Sequence, residues 1–307
     1  MTPTAVGKII SKQVGAFLPK QAKSQIRTLI FPNTVWPYYD YIVNPRHKFL
    51  YIWIPKVAGT SMKTWFLSTL GVDRHSEDGG VHLYIDDHYG LAARDSGEAR
   101  RLLRSYPRMV VVRNPWTRIA SAYLDKFVRE PVNMQNIPVI DFIHSKRGKK
   151  VVHSGTFRWE TMGTSTDLSV DPSIDYDEGI SFQEFVSYLC ETPDSELDVH
   201  WKPQHLFLGG RDSDSLLKLE NLESDLRSFE EKTGIESIGI PHHHRGKKAT
   251  SASAADLSES PAGDLRKVLG EFHPAELFTP QLIKKVGNRY EKDATRFNYR
   301  PPEDFVR

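Results

Sequence analysis

Cysteine is nearly absent from this sequence. Cys190 is the only one in 307 residues, so no intrachain disulfide forms and a four-cysteine zinc site is excluded. That usage favours a reducing compartment. A dominant charge is missing too. Forty-one Lys and Arg stand against 39 Asp and Glu, a net +2, so no global basic field argues for nucleic acid, and any anion site must be local. Long apolar runs are also absent. The N-terminus up to Leu29 holds neither a signal-peptide core nor the ~20 apolar residues of a membrane span. No internal repeat is present. The remainder is ordinary: 39% hydrophobic and 26% charged residues, as in globular proteins, with a length that suits one large domain or two small ones.

Near the start, Val6, Ile9, Ile10, Val14, Phe17 and Leu18 follow helical spacing among lysines. This is either an amphipathic helix packed on the domain or a weak membrane-surface helix. Two strand–turn–helix units follow. One runs from a strand over 49–54 through a loop into a helix over 60–70, ended by Gly71. The other runs from a valine-rich strand over 108–112 into a helix over 116–129, with Asn114 as N-cap and Pro115 in the favoured first position. A helix over 91–105 lies between them. This alternation predicts a parallel sheet covered by helices. Residues 163–179 are polar and read as a surface excursion. A helix over 180–190, a strand over 216–219, a helix over 222–233 closed by Gly234, a polar loop after Pro241 and a last helix over 280–290 complete the pattern.

The chemistry sits in the two turns. In Pro55-Lys56-Val57-Ala58-Gly59-Thr60-Ser61, the N–H groups at a helix start point at one spot and the helix dipole adds positive charge. Gly59 allows close backbone approach, Thr60 and Ser61 add hydroxyls, and Lys56 adds a full charge. The set suits a phosphate. Yet the lysine precedes the glycine, whereas the P-loop pattern G-x-x-x-x-G-K-[ST] places it after. A plain capped turn would use much the same residues. In the second turn Arg113 leaves the strand end and Ser121 lies eight residues later. If the strands are neighbours, these two reach a second anion, and a guanidinium suits phosphate because it bonds two oxygens at once. The alternative is an arginine paired to a local carboxylate. Two anion turns at equivalent strand ends suggest a nucleotide with phosphates at both ends.

These residues resemble the sulfotransferases that use 3′-phosphoadenosine 5′-phosphosulfate (PAPS), in particular the carbohydrate branch. The first turn matches that family's 5′-phosphosulfate loop. The stretch from Arg113 through Asn114, Pro115, Arg118 and Ser121 to Tyr123 matches its 3′-phosphate element. His200-Trp201-Lys202-Pro203-Gln204, Leu219-Glu220-Asn221-Leu222 with Asp225, and Tyr290, Asp293, Phe297 and Tyr299 are also similar, so the resemblance runs from about Lys48 to Tyr299. It implies a P-loop-like three-layer α/β/α fold around a mostly parallel sheet, and transfer without a metal. It implies that Lys56 meets the oxygen bridging phosphate and sulfate, that Val57, Ala58, Gly59, Thr60, Ser61 and Met62 hold the 5′ end, and that Arg113 and Ser121 hold the 3′-phosphate. The product would be 3′,5′-ADP.

The acceptor, a hydroxyl or an amine, needs a base, and histidine suits that work near neutral pH. His75, His82 and His88 lie between the turns. In carbohydrate relatives a catalytic histidine lies a little over twenty residues before the 3′-phosphate arginine; His88, 25 before Arg113, is the first choice. His200 is the second, and Asp86 and Asp87 could orient the base or replace it. The histidine run at 242–244 reads as a solvated loop, a metal site or a cationic lid, the last through Arg245 and Lys248. A nucleotide-dependent kinase and a non-catalytic nucleotide-binding module are the competing readings. Trp36, Tyr38, Tyr39 and Trp159 could stack on an acceptor or belong to the core. Residues 1–40 read as a helical extension and 41–307 as one domain, with a variable acceptor-side insertion around 130–200. Animal carbohydrate relatives are anchored in the Golgi membrane. No anchor is visible here, so the expectation is a cytoplasmic enzyme acting on a small metabolite, lipid or carbohydrate.

Overall fold

The structure is a computed structural model, and it describes residues 36–72, 81–161, 164–240 and 255–305. The expected N-terminal helix and the cationic lid at Arg245 and Lys248 lie outside them, as does His75. Strand β1 (Tyr41–Asn44) pairs antiparallel with β2 (Phe49–Ile52). β2 then pairs parallel with β3 (Arg108–Val112), and β3 parallel with β6 (Ser215–Lys218). The sheet order is β1-β2-β3-β6, so the sheet is mostly parallel, within a mixed α/β chain. Every residue of β2 and β3 is buried. That is why both read as unbroken apolar runs rather than alternating ones.

Among the described residues, ten α-helices accompany this sheet. α1 (Gly59–Thr69) follows β2, and α4 (Pro115–Tyr123) follows β3. Asn114 caps α4 by accepting from the Trp116 N–H. The expected helix over 116–129 changes character on the way. Beyond Tyr123 it widens into a π-helical segment, Leu124–Arg129, a form that periodicity does not reveal. The expected helix over 91–105 is instead a short 3-10 turn, Leu91–Ala93, and α3 (Ser96–Ser105). Asp95 breaks them by accepting from the Gly97 and Glu98 N–H groups. α2 (Val81–Tyr89) and α5 (Ile137–Lys146) were not anticipated. The polar stretch 163–179 contains β5 (Thr164–Val170), which forms a hairpin with β4 (Gly155–Thr161).

α6 (Phe182–Glu191) starts with a capping box between Ser181 and Glu184. α7 (Leu222–Thr233) ends at Gly234 in the left-handed region. α8 (Ala262–Lys267), α9 (Pro280–Arg289) and α10 (Glu291–Arg296) complete the chain. The described residues form two apolar cores. One wraps the sheet with Trp65, Phe66 and Phe229. There the Trp65 indole donates to the Glu230 carboxylate at 2.8 Å, which satisfies its buried N–H. The other packs Tyr123 and Phe127 against Phe182, Phe185 and Trp201. Each full burial of such a side chain contributes about 1.5–3 kcal/mol. Together they fix α4 and its π-helical extension between the sheet and the C-terminal helices.

Candidate active site

Because β2 and β3 are parallel neighbours, with Ile52 opposite Val110, the two turns leave the same end of the sheet side by side. In the first turn the left-handed positions are Lys56 (φ 69°) and Ala58 (φ 61°), neither of them glycine. Such residues cost roughly 1–3 kcal/mol each and persist only where the surroundings hold them. Gly59 has ordinary backbone. Its missing side chain also has a structural use: a Cβ there would lie 2.7 Å from Nε1 of Trp53. The indole occupies the room the glycine leaves.

No side chain among the described residues caps α1, so the N–H groups of its first turn have no cap partner there. The hydroxyls of Thr60 and Ser61 make no hydrogen bond among the described residues. Val57 and Met62 are buried in the core, so only their backbones can face a ligand.

The second turn is held from four sides. The Gln204 amide pairs with the Arg113 backbone in both directions, accepting from its N–H at 2.9 Å and donating to its carbonyl at 2.8 Å. The Asn114 N–H donates to Glu220 at 2.7 Å, and the Asn114 amide donates to the Arg300 carbonyl. The other Glu220 oxygen accepts from the Tyr299 hydroxyl at 2.7 Å. Gln204 is anchored in turn, since its N–H donates to the buried Asp293 at 2.7 Å. The Arg113 side chain donates to Thr117 Oγ1 at 3.0 Å and to the Lys56 carbonyl at 3.2 Å. Burial pushes its pKa down to about 10, with Glu220 opposing, so it keeps its charge at neutral pH. Ser121 is half-buried one turn beyond Thr117 on the same helical stripe, and its hydroxyl has no partner among the described residues.

Between the turns sits Lys56. Its ammonium is 2.9 Å from Asp125 on the π-helical segment. Burial lowers its pKa, and Asp125 works against that shift. Arg118, 1% exposed, donates to the carbonyls of Pro55 (3.1 Å), Lys202 (2.9 Å) and Val199 (3.2 Å). One guanidinium therefore ties the start of the first turn to the 199–202 segment. His200 sits in that segment, with Nδ1 2.6 Å from Asp198 Oδ1. This pairing fixes the ring and leaves Nε2 for a substrate, an arrangement suited to proton transfer.

His88 lies at the exposed end of α2. Its Nδ1 is 2.9 Å from the Tyr84 carbonyl, and its ring stacks on Tyr84. No contact among the described residues ties it to Lys56. His82 lies closer to the first turn, with its ring edge-on to Trp53 at 6.3 Å. Burial, helped by Lys63, lowers its pKa to about 4. Asp86 pairs with the buried Lys63 at 3.3 Å, while Asp87 is exposed. Trp36 packs edge-on to Phe207 beneath Lys202. Tyr38 bonds the Gly209 carbonyl, and Tyr39 is exposed; the Trp159 side chain lies outside what is described. Among the described residues no cluster of His, Cys, Asp or Glu is arranged to hold a metal.

Sequence reasoning did not anticipate Asp125 or the clamp made by Arg118. The spacing held a signal for the first: Arg113, Thr117, Ser121 and Asp125 recur every four residues, one face of a helix. A buried arginine spanning three carbonyls has no such signature.

Residues 39–300 match the sulfotransferase family. Carbohydrate sulfotransferase 14 of Danio rerio is 27% identical over 207 residues, covering 66% of this chain and 49% of that protein. Carbohydrate sulfotransferase 11 of Mus musculus is 22% identical over 301 residues, 92% of this chain and 72% of that protein. Carbohydrate sulfotransferase 12 of Mus musculus is 24% identical over 290 residues, 87% and 61%. The chain thus spans about half the length of the first of these. No solved structure matches it.

The expectation of a cytoplasmic enzyme is corrected by these relatives. They are carbohydrate sulfotransferases, the branch with Golgi-anchored members. No helix among the described residues is long and apolar enough to cross a membrane, but that alone assigns no compartment. The match over 39–300 carries the conclusion: the chain belongs to the sulfotransferase family.

Proposed function

We propose that this enzyme moves a sulfuryl group from PAPS to a hydroxyl of a carbohydrate acceptor, releasing 3′,5′-ADP. The observation that carries the reading is the junction of the two turns, where the Arg113 side chain bonds the Lys56 carbonyl. A ligand with an anion at each end can then contact both at once. The fit is physical. Among the described residues, the first turn offers uncapped N–H groups, two unpartnered hydroxyls and a lysine, and the second offers a charged guanidinium and the Ser121 hydroxyl. The proposal includes the P-loop-like three-layer α/β/α form, with residues 41–307 as one domain and the 130–200 region on the acceptor side.

Bound PAPS supplies an activated sulfur whose bond to the bridging oxygen breaks as the acceptor oxygen attacks in line. The first turn of α1 and the hydroxyls of Thr60 and Ser61 hold the 5′-phosphate, with Val57, Ala58, Gly59 and Met62 contributing backbone. Lys56 donates to the bridging oxygen and stabilises the charge that builds there. Losing one such donor typically costs ~3–4 kcal/mol of transition-state stabilisation. Arg113 and Ser121 hold the 3′-phosphate, which distinguishes this nucleotide from ATP. His200, oriented by Asp198, takes the acceptor proton on Nε2. It is favoured over His88 because Arg118 binds both Val199 and Pro55, one residue from His200 and one from Lys56.

The test is transfer of labelled sulfate from PAPS to a panel of polysaccharides and oligosaccharides, with Lys56→Ala alongside. Labelled carbohydrate with wild type and none with the variant supports the reading. Transfer by Lys56→Ala at the wild-type rate would remove the leaving-group role.

A further inference from the structure

Lys56 reaches its place through a carboxylate that the transfer chemistry does not call for. Asp125 Oδ2 lies 2.9 Å from the Lys56 ammonium. The same oxygen is 3.6 Å from Lys126, and the second oxygen is 3.8 Å from Arg129. Three cations therefore surround one carboxylate at the mouth of a proposed anion site. In isolation such a carboxylate would repel an anionic donor. Burial raises the Asp125 pKa, but the charges of Lys56, Lys126 and Arg129 outweigh it and hold the group ionised.

Asp125 lies on the π-helical segment. Asp125 continues the stripe of Arg113, Thr117 and Ser121, and the widened turn begins at Leu124, one residue before it. The element that would carry the 3′-phosphate ligands thus also carries the partner of the 5′-side lysine.

We infer that Asp125 is a positioning residue: it holds the Lys56 ammonium beside the first turn and yields it to the donor's anionic oxygens, staying neutralised by Lys126 and Arg129. This rests on the PAPS reading of the two turns. The groups facing Lys56 are Asp125, Lys126 and Arg113. Asp125 favours its charged form; Lys126, Arg113 and burial disfavour it. Lys126 also pairs with Glu130 at 3.1 Å, so it does not depend on Asp125 alone for its position.

The experiment is calorimetry of 3′,5′-ADP binding to the full chain across alkaline pH, where the nucleotide's own phosphates are fully ionised. Wild-type affinity is expected to fall as Lys56 loses its proton. In Asp125→Asn the fall moves to lower pH by about one unit or more, as expected when an opposite charge in contact is removed. Asp125→Glu restores it. A limb at the same pH in wild type and Asp125→Asn overturns the inference while leaving the nucleotide reading intact. A wild type that does not bind 3′,5′-ADP overturns both.

Lys126→Gln gives a second test that keeps Asp125. With one neutralising cation gone, Asp125 should release Lys56 less readily and nucleotide affinity at neutral pH should drop several-fold. That drop should vanish in the Asp125→Asn background, because a double-mutant cycle isolates the coupling. Equal drops in both backgrounds would show that Lys126 acts without Asp125, contrary to the inference.

Discussion

The Arg113 side chain donates a hydrogen bond to the Lys56 carbonyl at 3.2 Å, so the turn after β3 helps hold the turn after β2. The Lys56 backbone is left-handed, and this bond is part of what keeps it so. Arg118 does the same one residue earlier, at the Pro55 carbonyl. The two turns behave as one unit, and damage to either should be felt at the other.

Arg118→Lys tests that unity. A lysine cannot reach three carbonyls set around a planar fork. Leaving buried carbonyls unpaired should cost about 3 kcal/mol or more, read by denaturant unfolding. Affinity for 3′,5′-ADP should fall too, although Arg118 faces away from the nucleotide in this account. A variant with wild-type stability and affinity would show that the clamp is dispensable.

The strained first turn makes its own prediction. Ala58 is left-handed, so Ala58→Val should destabilise by about 1–3 kcal/mol, whereas Ala58→Gly should be nearly neutral or stabilising because glycine accepts that conformation freely. Thermal melts of the pair check the order. Equal melting temperatures would mean that the turn relaxes out of the left-handed region.

The base is addressed by kcat. His200→Ala should lower kcat by about a hundredfold or more, the usual contribution of a general base, with nucleotide affinity little changed. His88→Ala should leave kcat near wild type, because its ring is exposed and bonded to the Tyr84 carbonyl. The reverse result would return the role to His88.

Asp40 gives stability a pH dependence. Burial, with the charge of Asp86, raises its pKa to about 7 against the pull of Lys63. A carboxyl raised in the folded state keeps its proton where the unfolded chain has lost it. Its contribution is therefore full below about pH 4 and is lost as pH rises through about 7. Each unit of displacement is worth about 1.4 kcal/mol. Asp40→Asn should gain melting temperature relative to wild type between about pH 5 and about pH 8. A constant difference across that range would contradict the shift.

The sheet and its first two crossovers were legible because β2 and β3 are wholly buried, and unbroken apolar runs between turn residues have few other readings. The anion-type residues of both turns were legible for a similar reason: their spacing is local. What escaped was non-local. Nothing in the sequence says that the gap left by Gly59 is filled by Trp53, or that Gln204 brackets the Arg113 backbone from 91 residues away. The π-helical end of the 116–129 helix escaped because that winding leaves the apolar spacing of Ile119, Tyr123 and Phe127 intact. α2 was missed because its apolar face is only Val81 and Ile85.

The central claim is that the two turns hold one nucleotide with a phosphate at each end. Calorimetry with 3′,5′-ADP, 5′-ADP and ATP tests it most directly, using wild type and Arg113→Ala. The account predicts that wild type binds 3′,5′-ADP far more tightly than the other two, and that Arg113→Ala erases most of the difference. Equal affinity of wild type for all three nucleotides would contradict it.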